Sequence, residues 1–214
     1  MENINNHIGI LGRVSSDFEF SHEVYGEGFY RFYVEIYRLS DVSDLLPVTV
    51  SERIVDMNSL DVGSWVYVQG QIRSYNNYVE ADRRNKLILT VFAKEIEILT
   101  EGEALDVNPN DVFLNGYVCK APIYRTTPFG REIADVLLAV NRSYNKSDYI
   151  PCIAWGRNAR YAGRLTVGAN IRVWGRMQSR AYQKRYEDGE VVEKTAYEVS
   201  VSRIESGLED QDDE

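Results

Sequence analysis

Apolar and polar residues alternate with a period of two through much of the chain. Tyr30, Phe32, Val34 and Ile36 alternate with Arg31, Tyr33, Glu35 and Tyr37, which predicts a strand with one buried face. Ala134, Val136, Leu138 and Val140 keep the same apolar face later in the chain. Val66, Val68, Gly70 and Ile72 form another such run, matched by Ile171, Val173, Gly175 and Met177. The glycine inside each of these two runs suits a bend where a small barrel turns its corner. Residues 157–165 read as one short helical stretch, and Asp188-Gly189 between strand-like segments reads as a hairpin turn. No apolar run approaches the ~18 residues that a membrane-spanning helix needs.

These runs recur because the chain repeats itself at an offset of about 104 residues. Ile8-Gly9-Ile10-Leu11-Gly12-Arg13-Val14 falls on Val112-Phe113-Leu114-Asn115-Gly116-Tyr117-Val118, Arg38 on Arg142 and Pro47 on Pro151. Val62-Gly63 then meets Val167-Gly168, Val66 to Gly70 meets Ile171 to Gly175, and Val91 to Glu97 meets Val199 to Glu205. The offset drifts by a few residues, as small loop insertions require. The 214 residues suit two domains of about 100 each. Five strands and one intervening helix in about 100 residues describe a Greek-key barrel of the oligonucleotide/oligosaccharide-binding type, the OB-fold. The expectation is an all-β chain of two tandem five-stranded OB-fold barrels, each with a short helix between strands three and four. The first barrel covers residues 1–99, a linker 100–110, the second barrel 111–206, and an acidic tail 207–214.

Composition adds 15 Tyr, 7 Phe and 3 Trp, an aromatic share that favours strands over disorder. The formal net charge of −9 argues at first sight against a nucleic-acid partner. That average hides a division. Residues 1–104 carry 9 Lys and Arg against 17 Asp and Glu, a net of −8. Residues 105–207 carry 15 against 11, a net of +4, and the last seven carry five acids and no base. Fields act locally and are screened within about 10 Å, so the basic half sets its own chemistry.

In that half, bases and aromatics alternate in the predicted loops. Arg142, Tyr144, Lys146 and Tyr149 lie between strands two and three, Trp155 and Arg157 at the end of strand three, and Arg180, Tyr182, Lys184 and Arg185 between strands four and five. Arg125 joins them as a further basic candidate. A guanidinium that holds a phosphate beside a ring that stacks on its base is how barrels of this kind grip single strands. The first half keeps this character only around Arg73 and Tyr75, with Tyr78, Arg83, Arg84 and Lys86 beyond. For any one tyrosine, packing against its own barrel is an equal alternative. Trp174, beside Arg172 and Arg176, is read as an interface residue, since Trp and Arg are enriched between subunits. Trp65 is read as ordinary local packing.

The stretch Asp148-Tyr149-Ile150-Pro151-Cys152-Ile153-Ala154-Trp155-Gly156, followed by Val167 to Tyr182, resembles the bacterial single-stranded DNA-binding proteins. In that family an aromatic precedes the glycine that opens the helix, and a strand ending in Gly-x-hydrophobic-x-Ser/Thr-Arg leads to another aromatic. Thr195-Ala196-Tyr197-Glu198-Val199 resembles the last barrel strand, and Val66 to Tyr75 carries a fainter likeness in the first copy. The resemblance implies base-stacking aromatics at Tyr144, Tyr149, Trp155 and Tyr182. Family members often gather four barrels, which implies a homodimer of this two-barrel chain. The first copy departs where it matters: Ser51 stands opposite Trp155, Leu45 opposite Tyr149 and Ser40 opposite Tyr144. It is therefore expected to support assembly and bind weakly. The tail 209–214 keeps the family's acids but lacks a terminal Pro-Phe; it is a possible contact for DNA-maintenance proteins, or simply a solvated end.

Catalysis finds little footing. His7 and His22 have no nucleophile pattern around them, and Cys119 and Cys152 sit in predicted strands as small hydrophobes. No phosphate loop or metal spacing occurs, so no cofactor, no metal and no enzymatic activity are expected. The N-terminus has neither a basic flank nor an apolar core, so a cytoplasmic protein is expected. The leading expectation is a protein that coats and protects single-stranded DNA in replication, recombination or repair. The alternative is a primosome-type or plasmid- or phage-borne interaction protein in which nucleic-acid binding is weak or lost.

Overall fold

The alternating runs fold as strands, and the two copies build the same sequence of them. In the computed structural model, residues 5–38, 42–79, 84–104, 108–185 and 189–207 are described; Ser40, Arg83, Tyr186, Asp188 and the acidic tail 209–214 lie outside these. The first copy supplies β1 (Asn6–Val14), β2 (Glu19–Val24), β3 (Glu27–Tyr37), β4 (Ser43–Ser51), β5 (Trp65–Val79) and β6 (Arg84–Leu99). After the short α1 (Glu101–Ala104), the second copy supplies β7 (Asn110–Val118), β8 (Ile123–Thr126), β9 (Glu132–Arg142), β10 (Lys146–Trp155), α2 (Gly156–Ala162), β11 (Asn170–Arg185) and β12 (Val191–Ser206).

Their order in the sheet is a palindrome, β2-β3-β4-β6-β5-β1 followed by β7-β11-β12-β10-β9-β8. At its centre β1 and β7 run antiparallel, with Ile8 opposite Val112, Asn6 opposite Leu114 and Ile10 opposite Asn110. The repeat offset maps Ile8 onto Val112, so a pseudo-twofold axis passes through that pair. Each half closes on itself through β1 with β3 and β7 with β9, and through the parallel pairs β4 with β6 and β10 with β12. These are two tandem OB-fold barrels. Apolar positions face inward at period two: Ile8, Phe32 and Ile72 fill one barrel, and Leu114, Leu138, Ile150 and Met177 the other, all with no exposed surface.

The glycines inside the long strands sit where sequence reasoning wants a bend. The register of β5 with β6 shifts between Gln69 and Gly70, and that of β11 with β12 between Trp174 and Gly175. A Cβ at Gly70 meets the Phe92 carbonyl oxygen at 2.1 Å, and one at Gly175 meets that of Ser200 at 2.2 Å, so only glycine lets the strands cross this closely.

Two details differ from the expectation. Each copy carries a sixth strand, β2 or β8, paired only to β3 or β9 as an added hairpin edge. The helix between strands three and four forms only in the second copy; the first has a 3-10 turn at Met57–Ser59. The second copy offers Ala159 and Ala162 to the core at helical spacing. The first offers Ile54, Val55, Asp56, Asn58 and Ser59, residues that favour extended or capped backbone, and Asp56 turns its side chain onto the Asn58 N–H.

The barrels are also locked by a reciprocal pair of buried carboxylates. Asp148, with no exposed surface, accepts from the Ser74 N–H at 2.8 Å and pairs with Arg73 at 3.0 Å and Arg142 at 3.7 Å. Its counterpart Asp44 accepts from the Ser179 N–H at 2.7 Å and from Arg38 Nε at 2.7 Å. Each carboxylate thus belongs to one barrel and is satisfied partly by the other, as burial of a charge demands.

Candidate nucleic-acid interface

Strand periodicity decides which side chains of β10 leave the barrel. Ile150, Cys152 and Ala154 point inward, so Tyr149, Pro151, Ile153 and Trp155 share the outer face. Trp155 lies six positions along the strand from Tyr149, about 20 Å away. On β11, which lies beyond β12 in the sheet, the outward set includes Arg176, Arg180 and Tyr182. Between them lies a groove of about 470 Å³ lined by Trp155, Arg131, Arg176, Arg180, Ser200 and, from the first copy, Arg38.

Trp155 is 39% exposed, with its Nε1–H donating to Ser200 Oγ at 3.3 Å. It ends β10 in extended backbone and caps α2, and Gly156 turns the chain at φ +53°. That left-handed residue breaks the strand direction and leaves the indole over the groove mouth instead of in the core. Arg180 pairs with the buried Glu198 at 3.6 Å, which Gln178 also holds at 2.9 Å, so the arginine is anchored while its guanidinium stays more than half exposed. Arg131 and Arg176 line the same groove. One aromatic face among four arginines supplies both a stacking surface and phosphate partners.

The remaining sequence candidates distribute as follows. Tyr144 is 93% exposed at the β9–β10 turn with φ +63°, and Lys146 is exposed beside it. Tyr149 is exposed on the Trp155 face of β10. Tyr182 is half-buried in a cavity of about 190 Å³ between the two long hairpins, with Leu87, Pro151 and Tyr197. Lys184 is half-buried and Arg185 exposed further along β11. Arg157 faces a different pocket, with Tyr161 and Arg203 beside α2. Arg125 pairs with Asp135 on the added hairpin. Arg73 and Arg142 belong to the Asp148 cluster, and Arg73 also donates to Gln71 Oε1 at 2.6 Å. Tyr75 is exposed on the first barrel. Trp174 is half-buried within the chain, its ring 5.1 Å from Phe113 with Arg203 over it at 4.7 Å. Trp155 and Arg180 therefore share a groove, whereas Arg125 and Arg157 lie apart from it.

Sequence reasoning missed Arg38, Arg131 and Arg176 as groove residues. Arg176 had a signal in its alternation with Arg172 and Trp174. Arg38 comes from the other barrel, a placement that only the pseudo-twofold creates. Inside the second barrel, desolvation and the Glu198 charge push the Cys152 thiol up to about 12; away from the groove, burial pushes Tyr197, in the cavity with Leu87 and Tyr182, up to about 12. Both stay neutral. Among the described residues no group of three or more His, Cys, Asp and Glu gathers to hold a metal ion, and no helix is long and apolar enough to cross a membrane.

Fold and groove together define the class: a tandem OB-fold protein with an aromatic and cationic outer face. Residues 109–206 match the model of the single-strand binding protein family. Single-stranded DNA-binding protein B of Bacillus subtilis is 36% identical over 81 residues, which are 35% of this chain and 72% of that protein. The chain belongs to the single-strand binding protein family. Single-stranded DNA-binding protein 1 of Staphylococcus aureus is 39% identical over 83 residues, 36% of this chain and 50% of that relative, so the match spans about half its length. The crystal structure of the wild-type single-stranded DNA binding protein from Thermus aquaticus superposes with a TM-score of 0.74 at 20% identity, covering 95% of this chain and 93% of that one. At that identity it speaks for the two-barrel fold.

Proposed function

We propose that the chain binds single-stranded DNA in the Trp155 groove of the second barrel and, acting in the cytoplasm, coats exposed strands during replication, recombination or repair. The observation that carries the reading is the exposed indole of Trp155 flanked by Arg131, Arg176, Arg180 and Arg38. A base stacks on the indole, its phosphates meet the guanidinium groups, and the strand follows β10 toward Tyr149 and Tyr144. Stacking reads no sequence because every base has a face, so the protein covers strands without base preference. Arg180 and Arg176 act as phosphate partners; Arg73 and Arg142 chiefly hold the barrels together.

Two chains supply four barrels, and the proposed assembly is a homodimer through the outer face carrying Trp174 and Phe113. Tails of this acidity offer a charged contact to DNA-maintenance proteins. The test of the main reading is a mobility shift with oligo(dT). Trp155→Ala is expected to weaken binding by about 1–3 kcal/mol, the worth of one stacked base, with Trp155→Phe retaining most of it. Equal affinity of wild type and Trp155→Ala sinks the assignment of the groove.

A further inference from the structure

Six strands at the centre of the sheet, β6-β5-β1-β7-β11-β12, share one outer face. Residues directly opposite across a strand pair lie on the same side, so the registers map that face. On the first-barrel half, Tyr67 lies opposite Glu97 and Gln69 opposite Glu95. Gly9, on β1, lies opposite Gln69 on one side and Asp111 on the other. On the second-barrel half, Trp174 lies between Phe113 and Arg203, and Arg172 lies opposite Glu205.

The pseudo-twofold axis superposes these halves in backbone but not in chemistry. Glu95 stands where the second barrel has Arg203, and Tyr67 where it has Arg172. Burial and then the charges of Asp111, Glu97 and Glu95 push the Tyr67 hydroxyl above its ordinary 10.0, so three acids crowd one ring. The opposite half is cationic. Arg172 donates to the Ser206 carbonyl at 3.3 Å and Arg203 lies 4.7 Å over the Trp174 ring, which holds both guanidinium groups at the face. Glu205 offsets part of this charge by accepting from Arg203 Nε at 2.8 Å. Bulk follows the same division. Phe113 and Trp174 pack with ring centroids 5.1 Å apart, whereas the equivalent places hold Gly9 and Gln69.

A twofold that stacks two such faces has two choices. An axis across the strands sets first barrel on first and second on second, with acids against acids and the bulky rings against their own copies. An axis along the strands sets each first barrel on the second barrel of the other chain. Like charges face to face in an interface are costly, and only the latter arrangement avoids them.

We infer that a second copy of the chain docks on this face with its barrels exchanged, Glu95 and Glu97 facing the partner's Arg172 and the partner's Arg203. The inference rests on the homodimer proposed above and adds its orientation. It also fixes where the two Trp155 grooves lie: at diagonal corners of the four-barrel body, not on one side. A strand that engages both grooves has to cross a first barrel between them.

The test is sedimentation equilibrium of the full chain. Glu95→Gln with Glu97→Gln, both on exposed residues, is expected to weaken the dimer roughly tenfold. Raising the salt weakens the wild-type dimer and affects this variant less. Exchanging the charges, Glu95→Arg and Glu97→Arg together with Arg172→Glu and Arg203→Glu, restores association that either half of the exchange alone disrupts. A dimer that is unchanged or tighter in Glu95→Gln with Glu97→Gln overturns the inference and leaves the homodimer standing. A wild-type chain that stays monomeric overturns both.

Discussion

Trp155 owes its position to its neighbour. Gly156 holds φ +53° with open space around a notional Cβ, so Gly156→Ala introduces backbone strain and no clash. The expected cost is about 1–2 kcal/mol in urea unfolding, with weaker oligo(dT) binding as the indole shifts. Cys152 gives a second residue-level prediction. Its folded value of about 12 lies above the ordinary 9.0, so the native state keeps a proton that the unfolded chain releases. That stability is fully present below pH 9 and is lost as pH rises toward 12; Tyr197, raised from 10.0 to about 12, acts in the same direction. Thermal midpoints therefore fall above pH 9, and Cys152→Ala flattens part of that fall. The exposed Trp155, proposed to stack on bases, was legible in sequence because a tryptophan before a helix-opening glycine is a local pattern. Arg38 was not, since nothing local tells that a residue of the first copy lines the groove of the second.

At the level of elements, the period of two located the long strands because each has one buried face. The added strands escaped it: Glu19–Val24 and Ile123–Thr126 are exposed throughout and have no buried face to create a pattern. The Asp44 and Asp148 clusters were equally silent, because each joins a strand of one copy to a serine in the arm of the other. They predict that the barrels unfold together. Asp148→Asn removes the charge that Arg73, Arg142 and the Ser74 N–H share, and is expected to cost about 3 kcal/mol. Urea denaturation reads this directly. A change below about 0.5 kcal/mol contradicts the role of the cluster.

Across the whole molecule, the formal charge of −9 is an average over two unlike barrels. The second concentrates Arg131, Arg176 and Arg180 beside its indole, whereas the first lines its groove with Phe20, Tyr75 and Phe92 beside Arg31 and Arg73. Their joining across β1 and β7 places both grooves on one body, each completed by an arginine from the other. The repeat made the two barrels and their unequal charge readable in sequence; the exchange of Arg38 and Arg142 required the pseudo-twofold arrangement itself. The most direct test of the central claim is titration with oligo(dT), followed by tryptophan fluorescence at several salt concentrations. The expected result is quenching that Trp155→Ala greatly reduces, with log K falling against log salt by about 0.7 per phosphate neutralised. No quenching and no mobility shift at low salt contradicts it.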